Sequence, residues 1–91
     1  ATVVITNPTH LAVALQYDRE SMSAPTVTAK GAGYVAEAIK AMARRHGVPQ
    51  VEDKPLARAL FKLNVGSVIP RELYRAVAKV LAYIYKLRGA A

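Results

Sequence analysis

The sequence has no cysteine, few acidic residues and no long apolar run, and each absence removes a class of protein. Without cysteine the 91-residue chain can form neither disulfides nor thiolate metal sites. Its 6 Asp and Glu residues and 2 histidines show neither metal-ligand spacing nor a nucleophile elbow, so we expect no metal, no cofactor and no conventional hydrolase. The longest apolar runs are only a few residues, far short of the ~20 residues of a membrane-spanning helix.

The composition is that of a globular chain. An apolar share of 53% is too high for disorder, and 91 residues suffice for one hydrophobic core but not for two. We therefore expect one domain over residues 1–91. We expect no signal peptide, and the absence of an initiating methionine leads us to expect a fragment of a longer protein.

The formal charge of +7 favours binding of an anionic partner. An anionic membrane surface, a nucleic acid and an acidic protein would each suit it. Few aromatic residues lie among the basic ones and no nucleic-acid-binding motif is present, so a nucleic acid is the less favoured partner. A small basic nucleic-acid-binding module nevertheless stays open as the alternative function, and a solvated basic surface accounts for individual Lys and Arg side chains.

Hydrophobic periodicity predicts four strands and three helices. The strands are expected at residues 2–6, 11–17, 26–30 and 48–51, the first of them central and the last at an edge. The first helix is expected at residues 34–46. The second is expected to start after an N-cap at Asp53, and the third to run from Pro70 to just before Gly89. This order predicts a small α/β sandwich, in which helices pack against one mixed sheet.

The periodicity also predicts which side chains are buried. Gly31 and Gly33 are expected to bracket the turn before the first helix, because a dinucleotide-binding loop would need a third glycine. Lys30 is expected to be a surface charge at a strand end. The expected core face of the first helix is Val35, Ala38, Ile39, Met42 and Ala43, with Glu37, Lys40 and Arg44 outside. The expected core stripe of the third helix is Leu73, Val77, Val80, Leu81, Ile84 and Leu87.

Between the first two predicted strands lies the tetrapeptide Asn7-Pro8-Thr9-His10. Asparagine favours turn starts and proline presets φ, so the segment predicts a tight turn. Because Pro8 has no N–H, its nitrogen cannot attack the Asn7 side chain in the way that deamidates most asparagines. The reverse attack stays open, in which the Asn7 side-chain nitrogen adds to its own backbone carbonyl, closes a succinimide and expels Pro8. The pattern therefore leaves self-cleavage between Asn7 and Pro8 open as a reaction of this turn.

The turn also supplies ways to speed this slow reaction. A rigid turn holds the side-chain nitrogen near the carbonyl carbon, and such positioning lowers a barrier by at most ~7–11 kcal/mol. His10 is the candidate for at least one of the two proton transfers, because histidine titrates near neutral pH. Thr9 is expected to bond the turn or the developing oxyanion through its hydroxyl or its N–H. The alternative is an ordinary hairpin turn with a surface histidine.

The order of motifs along the chain, ITNPTH, ALQYD, MSAPTVTAKGAG, HGVP and PLARALF, closely resembles the FlhB/YscU family of type III secretion export proteins. The AKGAG form is more similar to the flagellar branch than to the injectisome branch. The resemblance implies a four-stranded sheet surrounded by helices. It also implies that Asn7 is the nucleophile and Pro8 the leaving group, with Thr9 and His10 in support.

The same resemblance implies a biological setting. The domain would lie at the cytoplasmic face of the bacterial inner membrane, anchored by a preceding membrane domain and linker helix. Cleavage into residues 1–7 and 8–91 would let the export machine switch from early to late substrates. Each molecule would cut itself once, so no enzyme turnover is expected. The expected partners are other export-apparatus proteins, secreted substrates or their chaperones, and the anionic membrane surface, with no nucleic acid.

Overall fold

The computed structural model describes residues 1–89, which form a four-stranded sheet with α-helices on both faces. Within this range the strands are β1 (Val3–Asn7), β2 (Leu11–Gln16), β3 (Thr26–Ala32) and β4 (Gln50–Glu52). The helices are α1 (Tyr34–Arg45), α2 (Lys54–Phe61) and α3 (Tyr74–Leu87), the last preceded by a 3₁₀ turn at Arg71–Leu73. The predicted α/β class, with one mixed sheet and three helices, is confirmed.

The sheet has the order β3-β2-β1-β4. Antiparallel pairing joins β1 to β2 and β2 to β3, whereas β1 and β4 run parallel. All five residues of β1 are buried, as its apolar sequence on both faces requires of a central strand. The central position of β1 and the edge position of β4, which follows Pro49, are therefore confirmed.

Alternation along the strands separates two cores. One face of the sheet meets α2 and α3 through the larger side chains, Val3, Ile5, Val13, Leu15 and Val27. The opposite face meets α1 through Val4 and the two alanines Ala12 and Ala14. Because its partners are so small, α1 packs close to the sheet.

The buried face of α1 differs from the predicted one. Ala43 is buried and Ile39 packs against the same cluster, as predicted. Ala36 is also buried, whereas Ala38 is exposed and Val35 and Met42 are 55% and 53% exposed. The helix lies with its smallest residues on the alanines of the sheet, and its larger apolar residues lie beside that contact. Lys40, predicted outside, is consequently drawn inward, with a side chain only 13% exposed.

Two further boundaries and one core residue were also predicted wrongly. Gly31 lies inside β3, paired with Ala12, so that Gly33 alone forms the junction with α1. The last helix starts with a 3₁₀ turn after Pro70 and becomes α-helical only at Tyr74. Leu87 in its final turn is 66% exposed and does not belong to the core stripe. No helix among residues 1–89 combines the length and the apolarity that crossing a bilayer requires.

Replacing Gly31 with alanine should destabilise the fold. The added Cβ would lie 2.7 Å from Val35 Cβ and 3.0 Å from the Val35 carbonyl carbon, so α1 would have to move away from the sheet. Overpacking of this kind costs about 1–3 kcal/mol of unfolding free energy, measurable by urea denaturation. Adding Val35→Ala should recover part of the loss, and a Gly31→Ala variant as stable as the parent would contradict this close packing.

Candidate functional site

Asn7 is the last residue of β1 and pairs with Leu11 at the start of β2. Its side chain shares a face with Val3 and Ile5 by strand alternation, the face that α2 and α3 cover. Only 3% of the residue is exposed. The reactive amide proposed from the sequence therefore lies at the edge of the core, where neighbouring atoms restrict its rotamers and limit its contact with water.

The tetrapeptide forms a closed turn. The His10 N–H donates to the Asn7 carbonyl oxygen at 3.0 Å. Only glycines have positive φ in the described chain, so Thr9 cannot occupy the left-handed position of a type II turn and the geometry is type I. The Asn7 side-chain nitrogen would attack the carbon of this same carbonyl. The hydrogen bond from the His10 N–H polarises the carbonyl and makes its carbon more electrophilic.

The four predicted site residues lie together in this hairpin but in different environments. Asn7 is buried and Pro8 is half-buried, whereas Thr9 and His10 are exposed. The hydrogen bond that closes the turn comes from the backbone of His10.

Helix α1 holds the turn from one side. Lys40 Nζ donates to the Pro8 carbonyl oxygen at 3.0 Å, and the Gly33 N–H donates to the His10 carbonyl oxygen at 3.1 Å. Lys40 was not predicted to contact the turn, because its spacing from Glu37 is that of an ordinary surface ion pair. No local pattern links it to a turn 32 residues earlier.

Helix α2 starts beside the strand that carries Asn7. The Asp53 N–H donates to the Thr6 carbonyl oxygen at 2.9 Å. The Asp53 side chain accepts from the Leu56 N–H at 3.1 Å, which confirms the predicted N-cap. The same residue thus starts the helix and attaches it next to the end of β1.

Lys30 secures the other end of α2 and is not the surface charge that was predicted. Its Nζ donates to the Phe61 carbonyl oxygen at 2.9 Å and lies 5.0 Å from the centroid of the Phe61 ring. A register shift between Ala14 and Leu15 reverses the alternation of β3, which turns Lys30 toward α2. Across residues 1–89 no group of three or more His, Asp or Glu side chains could hold a metal ion.

Comparison with known proteins identifies relatives of nearly the whole chain. The family described as FlhB HrpN YscU SpaS matches residues 1–84. The flagellar biosynthetic protein FlhB of Salmonella typhimurium is 53% identical over 97% of this chain and 23% of its own length. FlhB of Bacillus subtilis is 46% identical over 97% of this chain and 25% of its own length. The chain therefore spans about a quarter of the length of these relatives.

Solved structures share the fold. The cytoplasmic domain of FlhB from Shewanella putrefaciens matches with a TM-score of 0.91 and 43% identity, over 97% of this chain and 68% of that one. Two variants of the EscU C-terminal domain, one with an asparagine replaced by alanine and one with the adjacent proline replaced by alanine, each match with a TM-score of 0.87 and 31% identity. They cover 91% of this chain and 84% and 83% of their own.

Lys30→Met should weaken the attachment of α2 while keeping the length of the side chain. The substitution removes a charged donor from a helix-terminal carbonyl and the cation from the Phe61 ring. We expect a loss of about 1–2 kcal/mol in the free energy of unfolding by urea, since the side chain is only part-buried. Lys30→Arg is the control and should retain most of the stability; equal stability of Lys30→Met and parent would rule out this anchoring role.

Proposed function

Because the chain belongs to the FlhB HrpN YscU SpaS family, we propose that it is a self-cleaving domain of a flagellar-type protein-export apparatus. The cut falls between Asn7 and Pro8. The observation that carries the proposal is the geometry at this bond: a buried asparagine ends a central strand, and its carbonyl oxygen already accepts a hydrogen bond at 3.0 Å.

The reaction consists of one cyclisation followed by one hydrolysis. The Asn7 side-chain nitrogen bonds to the Asn7 carbonyl carbon and loses a proton. The tetrahedral intermediate then collapses, the bond to the Pro8 nitrogen breaks, and that nitrogen takes up a proton. The products are a succinimide at residue 7 and a free secondary amine at Pro8. Water later opens the succinimide, so no external nucleophile is needed for the cut itself.

Two physical features of the site lower the barrier to cleavage, and a third closes a competing reaction. Burial of Asn7 limits the conformations of its side chain, which reduces the entropy cost of attack. The His10 N–H points at the oxygen that becomes an oxyanion, and preorganised donors of this type stabilise such charge by about 2.7–4 kcal/mol in other enzymes. The missing N–H of Pro8 closes the competing deamidation route.

His10 has two separable roles in this mechanism. Its backbone N–H stabilises the oxyanion, whereas its exposed imidazole carries protons between solvent and the reacting nitrogens. Thr9 has the supporting role of spanning the turn, since it occupies the position between Pro8 and His10. We assign proton transfer to the imidazole because histidine is the most frequent general acid–base residue and His10 lies in the same turn as the cleaved bond.

The two pieces stay together after the cut. β1 keeps its antiparallel partner β2 and its parallel partner β4, and Val3, Val4 and Ile5 are almost fully buried. Burial of such side chains contributes about 1.5–3 kcal/mol each. Cleavage into residues 1–7 and 8–91 of the 91-residue chain therefore changes the conformation and charge of the turn and leaves the fold intact.

The role in export follows from the relatives. The matched proteins of Salmonella typhimurium and Bacillus subtilis are named flagellar biosynthetic proteins, which supports the flagellar branch. In our proposal the cut turn allows the apparatus to switch from early to late substrates. The partners are other export-apparatus proteins and the secreted substrates or their chaperones. Each molecule cuts itself once and turns over no external substrate.

The location in the cell is also part of the proposal. The cytoplasmic domain of FlhB from Shewanella putrefaciens shares the fold, and the curated relatives are about four times longer than this chain. We therefore place the domain at the cytoplasmic face of the inner membrane, behind a membrane-anchored segment. The net charge of +7 favours contact with anionic lipid headgroups. Exposed basic residues along the outside of the last helical segment, Arg71, Arg75 and Lys79, supply part of that charge.

Mass spectrometry should detect the cut directly. Denatured parent protein should give one piece that ends at Asn7 and one that starts at Pro8, whereas native spectra should give their complex. Before the succinimide opens, the two masses should sum to the intact mass with no added water, which distinguishes cyclisation from hydrolysis by a protease. Asn7→Ala should remain whole and folded.

Two results would contradict this mechanism. One is a single intact mass for the parent after prolonged incubation. The other is cleavage of Asn7→Ala at the same bond, because alanine has no side-chain nitrogen and an outside protease would then be responsible.

His10→Ala should slow cleavage by roughly 10²-fold or more, the lower range for general acid–base catalysis. The variant keeps the backbone N–H and so isolates the imidazole. Its stability should change by less than about 0.5 kcal/mol because the side chain is exposed. Added imidazole should restore part of the rate of fragment formation, and an unchanged rate in His10→Ala would remove the side chain from the mechanism.

A further inference from the structure

Lys40 occupies an unusual environment for a lysine. It lies in the middle of α1, and its side chain is 13% exposed, although lysines usually extend into water. Its ammonium group bridges two oxygens, the Pro8 carbonyl at 3.0 Å and Glu37 Oε2 at 2.8 Å. The Lys40 backbone is held as well, since Gln50 Nε2 donates to its carbonyl oxygen at 3.1 Å. Both ends of the residue are therefore fixed.

The contact with Pro8 removes the remaining freedom of the turn. The pyrrolidine ring fixes φ of Pro8, so ψ is its one soft backbone torsion. A hydrogen bond to the Pro8 carbonyl oxygen fixes that torsion. The carbonyls on either side of this unit are also held, that of Asn7 by the His10 N–H and that of His10 by the Gly33 N–H.

We propose that Lys40 is a positioning residue for cleavage of the Asn7–Pro8 bond, a role that rests on the proposed function. By binding the Pro8 carbonyl oxygen it fixes the position of Pro8, whose nitrogen is the leaving group, relative to the Asn7 carbonyl that is attacked. Its positive charge also lies close to the site where the oxyanion develops, in a part-buried environment where charge is screened less than in water. In this proposal Lys40 acts through the Pro8 carbonyl and takes no part in making or breaking a bond.

The chain offers matched controls for this role. Arg44 lies one helical turn after Lys40 and is exposed, so Arg44→Met removes the same charge from the same helix without changing the turn. Glu37 is 63% exposed and contacts the lysine but not the turn, so Glu37→Gln loosens the ion pair and keeps the bond to Pro8. Lys40→Arg keeps the charge and a donor, whereas Lys40→Met keeps only the apolar stem.

The test is the rate at which the 91-residue chain is cut after synthesis. Each variant is produced by cell-free translation, samples are denatured at set times, and the fraction with a new N-terminus at Pro8 is measured by mass spectrometry. Stability is measured separately by urea denaturation in an Asn7→Ala background, and each rate is divided by the folded fraction. This correction separates slower cutting by folded molecules from a smaller number of folded molecules.

We expect Lys40→Met to cut between about tenfold and a hundredfold more slowly per folded molecule, the loss typical of small misplacements of reacting groups. Lys40→Arg should recover most of the rate, while Arg44→Met and Glu37→Gln should stay within about twofold of the parent. Parent-like cutting by Lys40→Met, or an equal loss in Arg44→Met, would overturn the role of Lys40 and leave self-cleavage standing. Absence of cutting in the parent would overturn self-cleavage itself, and the role of Lys40 with it.

Discussion

The backbone pairing of β1 is the constraint on which the rest of the structure depends. Thr6 is paired on both sides, with Ala12 of β2 and Glu52 of β4, whereas Asn7 is paired only with Leu11. Pairing on both sides of β1 therefore ends at Thr6, and Asn7 is held by β2 alone. An asparagine at that boundary has a fixed backbone on its N-terminal side and a turn on its C-terminal side. Ladder bonds run across the strand, not along it, so a break after Asn7 removes none of them.

The sequence was sufficient wherever local patterns decide the structure. The apolar residues of β1 predicted a central strand, and Asp53 predicted the start of α2, because burial on both faces and helix capping each depend on a few neighbouring residues. The shared location of the four candidate residues in one turn was predicted for the same reason. Its four residues are contiguous, so proximity in the fold did not have to be inferred.

What the sequence could not supply depends on contacts between distant elements. The helical pattern of α1 favoured Val35 and Met42 as core residues, but the alanines of the sheet select the small residues of the helix instead. A single extra residue in β3 redirects Lys30 from solvent to the end of α2. Neither effect has a local signature, because each is set by the shape of a surface formed elsewhere in the chain.

Small side chains have a larger effect on the candidate site than their chemistry suggests. Lys40 reaches Pro8 only because α1 lies close to the sheet, and that distance is set by Ala12, Ala14 and Gly31. A bulkier residue at any of these positions would lift the helix and draw the ammonium group away from the turn. The geometry at the Asn7–Pro8 bond therefore depends on the strand pairing of β1 and on the small residues of the sheet that let α1 pack closely.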